Sequence, residues 1–132
     1  MFPTVQDDEA APRVLVADDD PDVLRILVHN LEAEGFRVTS CDNGEDAREM
    51  ARTTAPDVII LDVMMPKRDG FDVLASLKSN PSTREIPVVL LSARAHDNDV
   101  WSGWRAGADY YVTKPFEMDE LLRFVASAAR PI

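Results

Sequence analysis

The sequence has little of several features that mark whole classes of protein. It contains a single cysteine, Cys41, so no disulfide can form within the chain, and this favours a reducing compartment. Its apolar runs are far shorter than the roughly 20 residues that cross a bilayer, and the first residues lack the basic and then apolar layout of a signal peptide. These absences predict a cytoplasmic protein without membrane insertion, in which Cys41 is a small buried apolar residue.

Basic side chains are also in the minority. The 14 Lys and Arg residues are outnumbered by 24 Asp and Glu residues, which leaves a net charge of −10. Binding to nucleic acid needs basic groups that displace counterions from phosphates, so this balance argues against direct nucleic acid binding. An acidic protein suits a partner with a basic patch, or a site that concentrates cations.

The 132 residues are enough for one compact domain with one core. Residues 1–12 are acidic and have no apolar period, which predicts a flexible tail before a domain at residues 13–132. Within the domain, five short runs rich in Val and Ile alternate with stretches whose apolar residues recur at helical spacing. The runs, which we predict to be buried strands, are Val14–Ala17, Phe36–Cys41, Val58–Leu61, Val88–Leu91 and Tyr110–Val112.

Five strand–helix units in succession predict an α/β fold, a parallel sheet with helices on both faces. Asp20, followed by Pro21, is placed to cap the first helix, and Gly35 to end it. The fourth helical pattern carries Trp101 and Trp104, which share one helix face. Two readings stay open for this pair: packing in the core, or partial exposure on the face of the fourth helix, fifth strand and fifth helix, where an indole could anchor a partner or a homodimer.

Polar side chains follow four of the five predicted strands at the point where each strand ends. Ligands of open parallel sheets bind outside the carboxyl ends of the strands, so these groups are expected to converge on one edge. A set of carboxylates needs a cation to neutralise it, and hard oxygen ligands suit Mg²⁺. A carboxylate beside Mg²⁺ can attack phosphorus, while an ammonium and a hydroxyl stabilise charge on the phosphoryl oxygens. The residues at this edge are Asp18, Asp19 and Asp20 after the first strand, Asp62 after the third, Ser92 after the fourth and Lys114 after the fifth.

A set of short motifs occurs in the order and at the spacing of one known family. The segments are VLVADD at residues 14–19, DVMMP at 62–66 with Asp-Gly at 69–70, LSA at 91–93, GAD at 107–109 and TKPF at 113–116. Together they resemble the receiver domain of bacterial two-component response regulators, of the single-domain type. The resemblance implies a flavodoxin-like, doubly wound five-stranded sheet of order 2-1-3-4-5. It also implies a phosphoacceptor signalling domain rather than an enzyme that acts on separate substrates.

The resemblance implies a role for each residue at the strand ends. Asp62 would be the phosphoacceptor, taking the phosphoryl group from a sensor histidine kinase or a histidine phosphotransfer protein. Asp62 and Asp19 would ligate Mg²⁺ directly and Asp18 often through water, with the backbone carbonyl of Met64 as a further ligand and Mn²⁺ able to replace the ion. Lys114, before a cis proline bond, would pair with a phosphoryl oxygen.

The resemblance also implies a switch and a lifetime. Ser92 would hydrogen-bond the phosphoryl group and move toward it, and Tyr111 would swing inward in response. The two positions that modulate the lifetime of the phosphorylated state in this family hold Met64 and Arg94 here. Because Met64 cannot hydrogen-bond an attacking water and Arg94 is bulky and cationic, slow autodephosphorylation is expected. The signal would be read by a downstream protein target or by a fused output domain.

Three alternatives use the same residues. Aspartate-nucleophile phosphatases share the chemistry, but usually carry a second Asp two residues after the nucleophile, where Met64 stands. A flavin carrier would need a phosphate-binding loop rich in Ser, Thr or Gly after the first strand, where three aspartates stand. A receiver-like interaction module that is never phosphorylated usually loses an acidic or lysine position. The sequence leaves open whether the chain is a natural single-domain protein or a receiver cut from a longer one.

Overall fold

The computed structural model describes residues 11–93 and 107–129. The first ten residues of the predicted tail lie outside the described residues, and so does the fourth predicted helix with Arg94, Trp101 and Trp104. The five strands are β1 (Arg13–Ala17), β2 (Arg37–Cys41), β3 (Val58–Asp62), β4 (Val88–Ser92) and β5 (Tyr110–Thr113). The described helices are α1 (Pro21–Ala33), α2 (Gly44–Thr54), α3 (Gly70–Ser79) and α4 (Met118–Ala129), the last being the fifth predicted from the sequence.

The five strands form one sheet in the order β2-β1-β3-β4-β5. Every neighbouring pair of strands is parallel, so the predicted flavodoxin-like fold and its strand order are confirmed. The order reverses at β1, because the chain moves outward to β2 and then returns to β3 on the other side. The carboxyl ends of β1 and β3 therefore flank the switch point at which ligands of such sheets bind.

The sheet buries an apolar cluster on each face because successive side chains of a strand point to opposite sides. Leu15 and Ala17 belong to the cluster that includes residues of α2 and α3, whereas Val14 and Val16 belong to the cluster that includes residues of α1 and α4. Each fully buried Val or Leu contributes about 1.5–3 kcal/mol. The carboxyl edge of the sheet is thus held between two packed layers.

Both ends of α1 follow the predicted capping. The Asp20 side chain accepts a hydrogen bond from the Asp22 N–H (2.9 Å), as expected of a helix cap. At the other end Gly35 has a φ of 97°, and the Phe36 N–H donates to the carbonyl of Leu31 (3.1 Å), which is the Schellman pattern. Because α1 begins at Pro21, soon after β1 ends at Ala17, the short connection that carries Asp18, Asp19 and Asp20 is held at both ends.

Two expectations drawn from absences can be compared with the structure. Cys41 is half-buried against the core, less enclosed than predicted, and burial raises the pKa of its thiol to about 11. A thiol with such a pKa stays protonated near neutral pH and is a poor nucleophile. Within residues 11–93 and 107–129, no helix combines the length and the apolar character that a membrane crossing requires.

Candidate functional site

The polar residues that follow the strands converge on the carboxyl edge of the sheet. Ala17 of β1 pairs with Leu61 of β3, so the residues that follow them, Asp18 and Asp62, come side by side. This register arises because β1 and β3 are adjacent parallel strands whose carboxyl ends lie at nearly the same level. Two acidic side chains that are 44 positions apart in the sequence are thereby brought into one site.

Three carboxylates form the centre of this site. Asp18, Asp19 and Asp62 each offer an oxygen, and these oxygens all lie within 4.8 Å of one another. Asp18 is 0% exposed and Asp62 is 3% exposed, whereas Asp19 faces solvent. The backbone orients the two buried groups, because the Asp20 N–H donates to Asp18 Oδ1 (2.9 Å) and the Met64 N–H donates to Asp62 Oδ1 (3.2 Å).

Lys114 joins the two buried carboxylates. Its Nζ lies 2.9 Å from Asp18 Oδ2 and 3.5 Å from Asp62 Oδ2. The Lys114 N–H donates to the carbonyl of Ser92 (2.8 Å), which ties the end of β5 to the end of β4. The Lys114–Pro115 peptide bond is cis, as the family resemblance implies.

The proximity of these groups changes their protonation. The pKa of Asp62 is raised from 3.8 to about 7, first because burial disfavours the carboxylate and second because Asp18 repels it, while the Lys114 charge and the Met64 N–H act in the opposite direction. Burial alone would lower the pKa of Lys114, but the hydrogen bond and charge of Asp18, together with Asp62, raise it above its ordinary value.

The donor set fits a small divalent cation. Among the residues that the structure describes, three carboxylates facing one ammonium leave two negative charges in excess when all are ionised. The candidate ligands are oxygens, which Mg²⁺ prefers, and their small number leaves room for water and for phosphate oxygens. A cation at this point would offset the charge of Asp18, which together with burial raises the pKa of Asp62.

The remaining predicted residues lie around this centre. Ser92 is buried and ends β4, where it pairs in register with Thr113. Tyr111 is half-buried against the core. It pairs in register with Leu90, which is two residues before Ser92, so Tyr111 and Ser92 lie toward the same face of the sheet. Met64 lies two residues after Asp62, in the segment that follows β3, and it is 51% exposed.

An apolar groove beside Lys114 was not predicted from the sequence. Its volume is about 550 Å³, and the α1 residue Ile26, which is 52% exposed, lies in it. The sign of it in the sequence was Ile26, an apolar residue that does not fit the helical spacing of the buried residues Leu27 and Leu31. The groove is lined by Val23, Ile26, Lys114, Pro115, Phe116 and Met118.

Comparisons with known proteins agree with this geometry. A family model described as the response regulator receiver domain matches residues 14–126. The chain is 40% identical over 119 residues to the DNA-binding dual master transcriptional regulator RpaA of Synechocystis, which covers 90% of this chain and 49% of that protein. The chain spans about half the length of several curated relatives that it matches.

Solved structures give the same picture. The receiver domain of the Francisella response regulator 1452 superposes with a TM-score of 0.84 at 36% identity, covering 89% of this chain and 96% of that chain. The receiver domain of the sensor histidine kinase PA1611 of Pseudomonas aeruginosa, solved with a magnesium ion coordinated in its active site cleft, has a TM-score of 0.83 at 27% identity. That match covers 90% of this chain and 98% of that chain.

We expect the stability of the metal-free protein to fall between about pH 4 and pH 7 because of Asp62. Its pKa is about 7 when folded against 3.8 ordinarily, so in this window the folded state holds a proton that the unfolded state has released, and stability is lost as pH rises. Asp62→Asn removes this loss, and its melting temperature should exceed that of the wild type by about 3 °C or more at pH 8.

The measurement is thermal unfolding of both proteins from about pH 4 to pH 8, first with a chelator and then with Mg²⁺. Mg²⁺ should raise the melting temperature of the wild type at pH 8 and reduce its difference from that of Asp62→Asn. If the melting temperatures of the two proteins change in the same way with pH, the raised pKa of Asp62 is contradicted.

Proposed function

The chain belongs to the response regulator receiver domain family, and on that premise we propose that Asp62 accepts a phosphoryl group from a phosphohistidine. The donor is a sensor histidine kinase or a histidine phosphotransfer protein, and the reaction takes place in the cytoplasm. The observation that carries the proposal is the nearly buried Asp62 carboxylate, with Asp18 beside it and Lys114 Nζ at 3.5 Å. The chain then acts as a signalling domain and not as an enzyme for a separate substrate.

The chemistry assigned to these residues balances without a further reactant. A carboxylate oxygen of Asp62 forms a bond to phosphorus while the bond from phosphorus to the imidazole nitrogen breaks. The electron pair of that bond remains on the imidazole, which takes up a proton, and Asp62 becomes an acyl phosphate. Lys114, which lies between the two buried carboxylates, is placed to pair with a phosphoryl oxygen, and the Ser92 hydroxyl donates to another.

The same proposal assigns the ligands of the cation. Asp19, Asp18 and Asp62 would hold Mg²⁺ together with the backbone carbonyl of Met64, and Mn²⁺ would substitute because it also prefers oxygen ligands. When bound, the ion supplies positive charge that offsets the carboxylates and the phosphoryl oxygens. The support is the clustering of the three carboxylates within 4.8 Å and the exclusively oxygen character of the set.

Phosphorylation would act on a two-state equilibrium that involves Ser92 and Tyr111. A nearly complete shift, from about 1:99 to 99:1, needs roughly 5.5 kcal/mol of differential stabilisation. Hydrogen bonds to a charged group contribute about 1.5–3 kcal/mol each, so two or three contacts from the phosphoryl group suffice. The acidic chain suits a readout by protein contacts: a downstream target, an output domain on the same polypeptide, or a second copy bound through the face that includes β5 and α4.

The apolar groove gives the donor a place to dock. Because Asp62 is only 3% exposed, a phosphohistidine side chain must be aimed into the carboxyl edge by contacts around it. The groove shares Lys114 with the site, and its other lining residues are apolar. We assign it to the helix that carries the phosphohistidine, since an apolar helix face would cover the exposed Ile26.

The central prediction concerns the site of modification. Incubation with a small-molecule phosphodonor and Mg²⁺ should add one phosphoryl group to the wild type, and none to Asp62→Asn, as read by intact mass. Asp57→Asn is the matched control, because Asp57 lies at the opposite edge of the sheet, where it accepts a hydrogen bond from the Arg13 N–H (2.8 Å). An equal adduct on Asp62→Asn would exclude Asp62. Failure of the wild type to take either the phosphoryl group or beryllofluoride would favour an interaction module that is never phosphorylated.

A second prediction concerns the lifetime of the phosphorylated state. The exposed Met64 side chain offers no hydrogen bond to an attacking water, so decay should be slow. Met64→Asn adds one hydrogen bond, worth about 0.5–1.5 kcal/mol, and should speed decay about 2- to 10-fold. The phosphorylated fraction is followed by intact mass after removal of the donor, with Met64→Leu as a control that keeps the slow rate. Unchanged decay in Met64→Asn would contradict the role of this position.

A third prediction tests the groove. Ile26→Glu should slow phosphotransfer from a histidine kinase or phosphotransfer protein about tenfold or more, because a buried apolar contact of roughly 1.5–3 kcal/mol is lost. Phosphorylation by the small-molecule donor should be unaffected. His29→Glu places the same charge on an exposed position of α1 that does not line the groove and should leave both rates unchanged. Equal slowing by the two variants would point to charge alone and against docking in the groove.

A further inference from the structure

The segment between β3 and α3, residues 63–69, is held in a strained conformation. The Arg68 N–H donates to the carbonyl of Pro66 (2.8 Å), and the residue between them, Lys67, has a φ of 71°. This is a γ-turn of the rarer and less favourable form. A residue other than glycine persists in such a conformation when the surrounding structure leaves it no alternative.

Two glycines provide that surrounding structure by bringing backbone against backbone. A Cβ on Gly70 would lie 2.4 Å from the carbonyl oxygen of Asp62, and the Gly70 N–H donates to the carbonyl of Val63 (2.7 Å). A Cβ on Gly44, the first residue of α2, would lie 1.9 Å from the carbonyl oxygen of Arg68. The β3–α3 segment is therefore confined between the beginnings of two helices.

Gly44 also joins the hydrogen bonding of the turn. Its N–H donates to the carbonyl of Pro66 (3.3 Å), so this one oxygen accepts from both Gly44 and Arg68. The side chains add an ion pair between Arg68 Nε and Glu45 Oε1 at 3.3 Å, but both partners are well exposed and such pairs contribute little. The close contact of the main chains is what determines the position of the turn.

We propose that Gly44 is a positioning residue for the cation site, which it influences through Met64. This inference rests on the proposed function, because it concerns the Met64 carbonyl as a ligand. Met64 lies midway between Asp62, fixed in β3, and Pro66, fixed by Gly44 and Arg68. Anchoring on both sides therefore restricts the positions that its carbonyl can take.

A side chain at position 44 would disturb this arrangement in a defined way. The atoms that it would meet first are the carbonyl oxygen and carbon of Arg68, and no rotamer change can move main-chain atoms aside. Either α2 or the turn must shift by roughly 1 Å, a displacement large enough to impair a preorganised site. The turn is the part expected to shift, since Pro66 and Lys67 are exposed, whereas Ala47 and Ala51 bury α2 in the core.

The test compares Gly44→Ala with Gly35→Ala in the whole chain. Titration calorimetry with Mg²⁺ should show an affinity about tenfold or more below that of the wild type for Gly44→Ala. Saturating Mg²⁺ should restore its phosphorylation by the small-molecule donor, because Asp62 itself is intact. Gly35→Ala places a side chain at a φ of 97° with no atom of the described residues within 4 Å, so it should lower the melting temperature and leave the Mg²⁺ affinity unchanged.

An unchanged Mg²⁺ affinity in Gly44→Ala, or an equal loss in both variants, would overturn the positioning role. If Gly44→Ala does not fold, the wild type is titrated with Mg²⁺ by NMR: the amide resonances of Gly44 and Arg68 should move with the same midpoint as that of Met64, and resonances that stay fixed would overturn the role. A wild type that binds Mg²⁺ but takes neither a phosphoryl group nor beryllofluoride would refute the proposed function, while the comparison of affinities still decides the role of Gly44.

Discussion

The close approach of the nearly buried carboxylates of Asp18 and Asp62 is the interaction on which the rest of the site depends. Two carboxylates at this distance repel strongly when little solvent screens them, and one ammonium, that of Lys114, faces them both. Among the described residues the site therefore has an excess of negative charge, and burial together with this repulsion raises the pKa of Asp62 to about 7. Such an arrangement costs folding stability, and it is relieved by whatever brings positive charge to the edge of the sheet.

The fold maintains this unfavourable arrangement by making it rigid. β1 and β3 are neighbours in the sheet and are buried on both faces, so the carboxylates at their ends cannot move apart without disrupting two cores. The backbone N–H groups that hold one oxygen of each carboxylate limit rotation of the side chains. Stability gained in the packed layers thus offsets repulsion that is confined to one edge.

Much of this could be predicted from the sequence, because it depends on local patterns. Short Val- and Ile-rich runs gave the strands to within a residue or so, the resemblance gave their order and the cis bond before Pro115, and the family match decides against a phosphatase or a flavin carrier. The groove and the contact of Gly44 with Arg68 could not be predicted, since they arise where segments distant in sequence meet. An exposed Ile26 or a glycine at a helix start carries meaning only when its neighbours in space are known.

The groove beside Lys114 has a consequence for chemical intervention. A volume of about 550 Å³ lies within the roughly 300–1,000 Å³ range of sites that hold drug-sized molecules. The carboxyl edge alone offers an inhibitor little besides charge and water, whereas the groove offers apolar surface next to a fixed ammonium. A compact hydrophobic compound could occupy the groove beside Lys114 without competing for the acidic edge itself. Its selectivity would then come from the shape of the α1 surface.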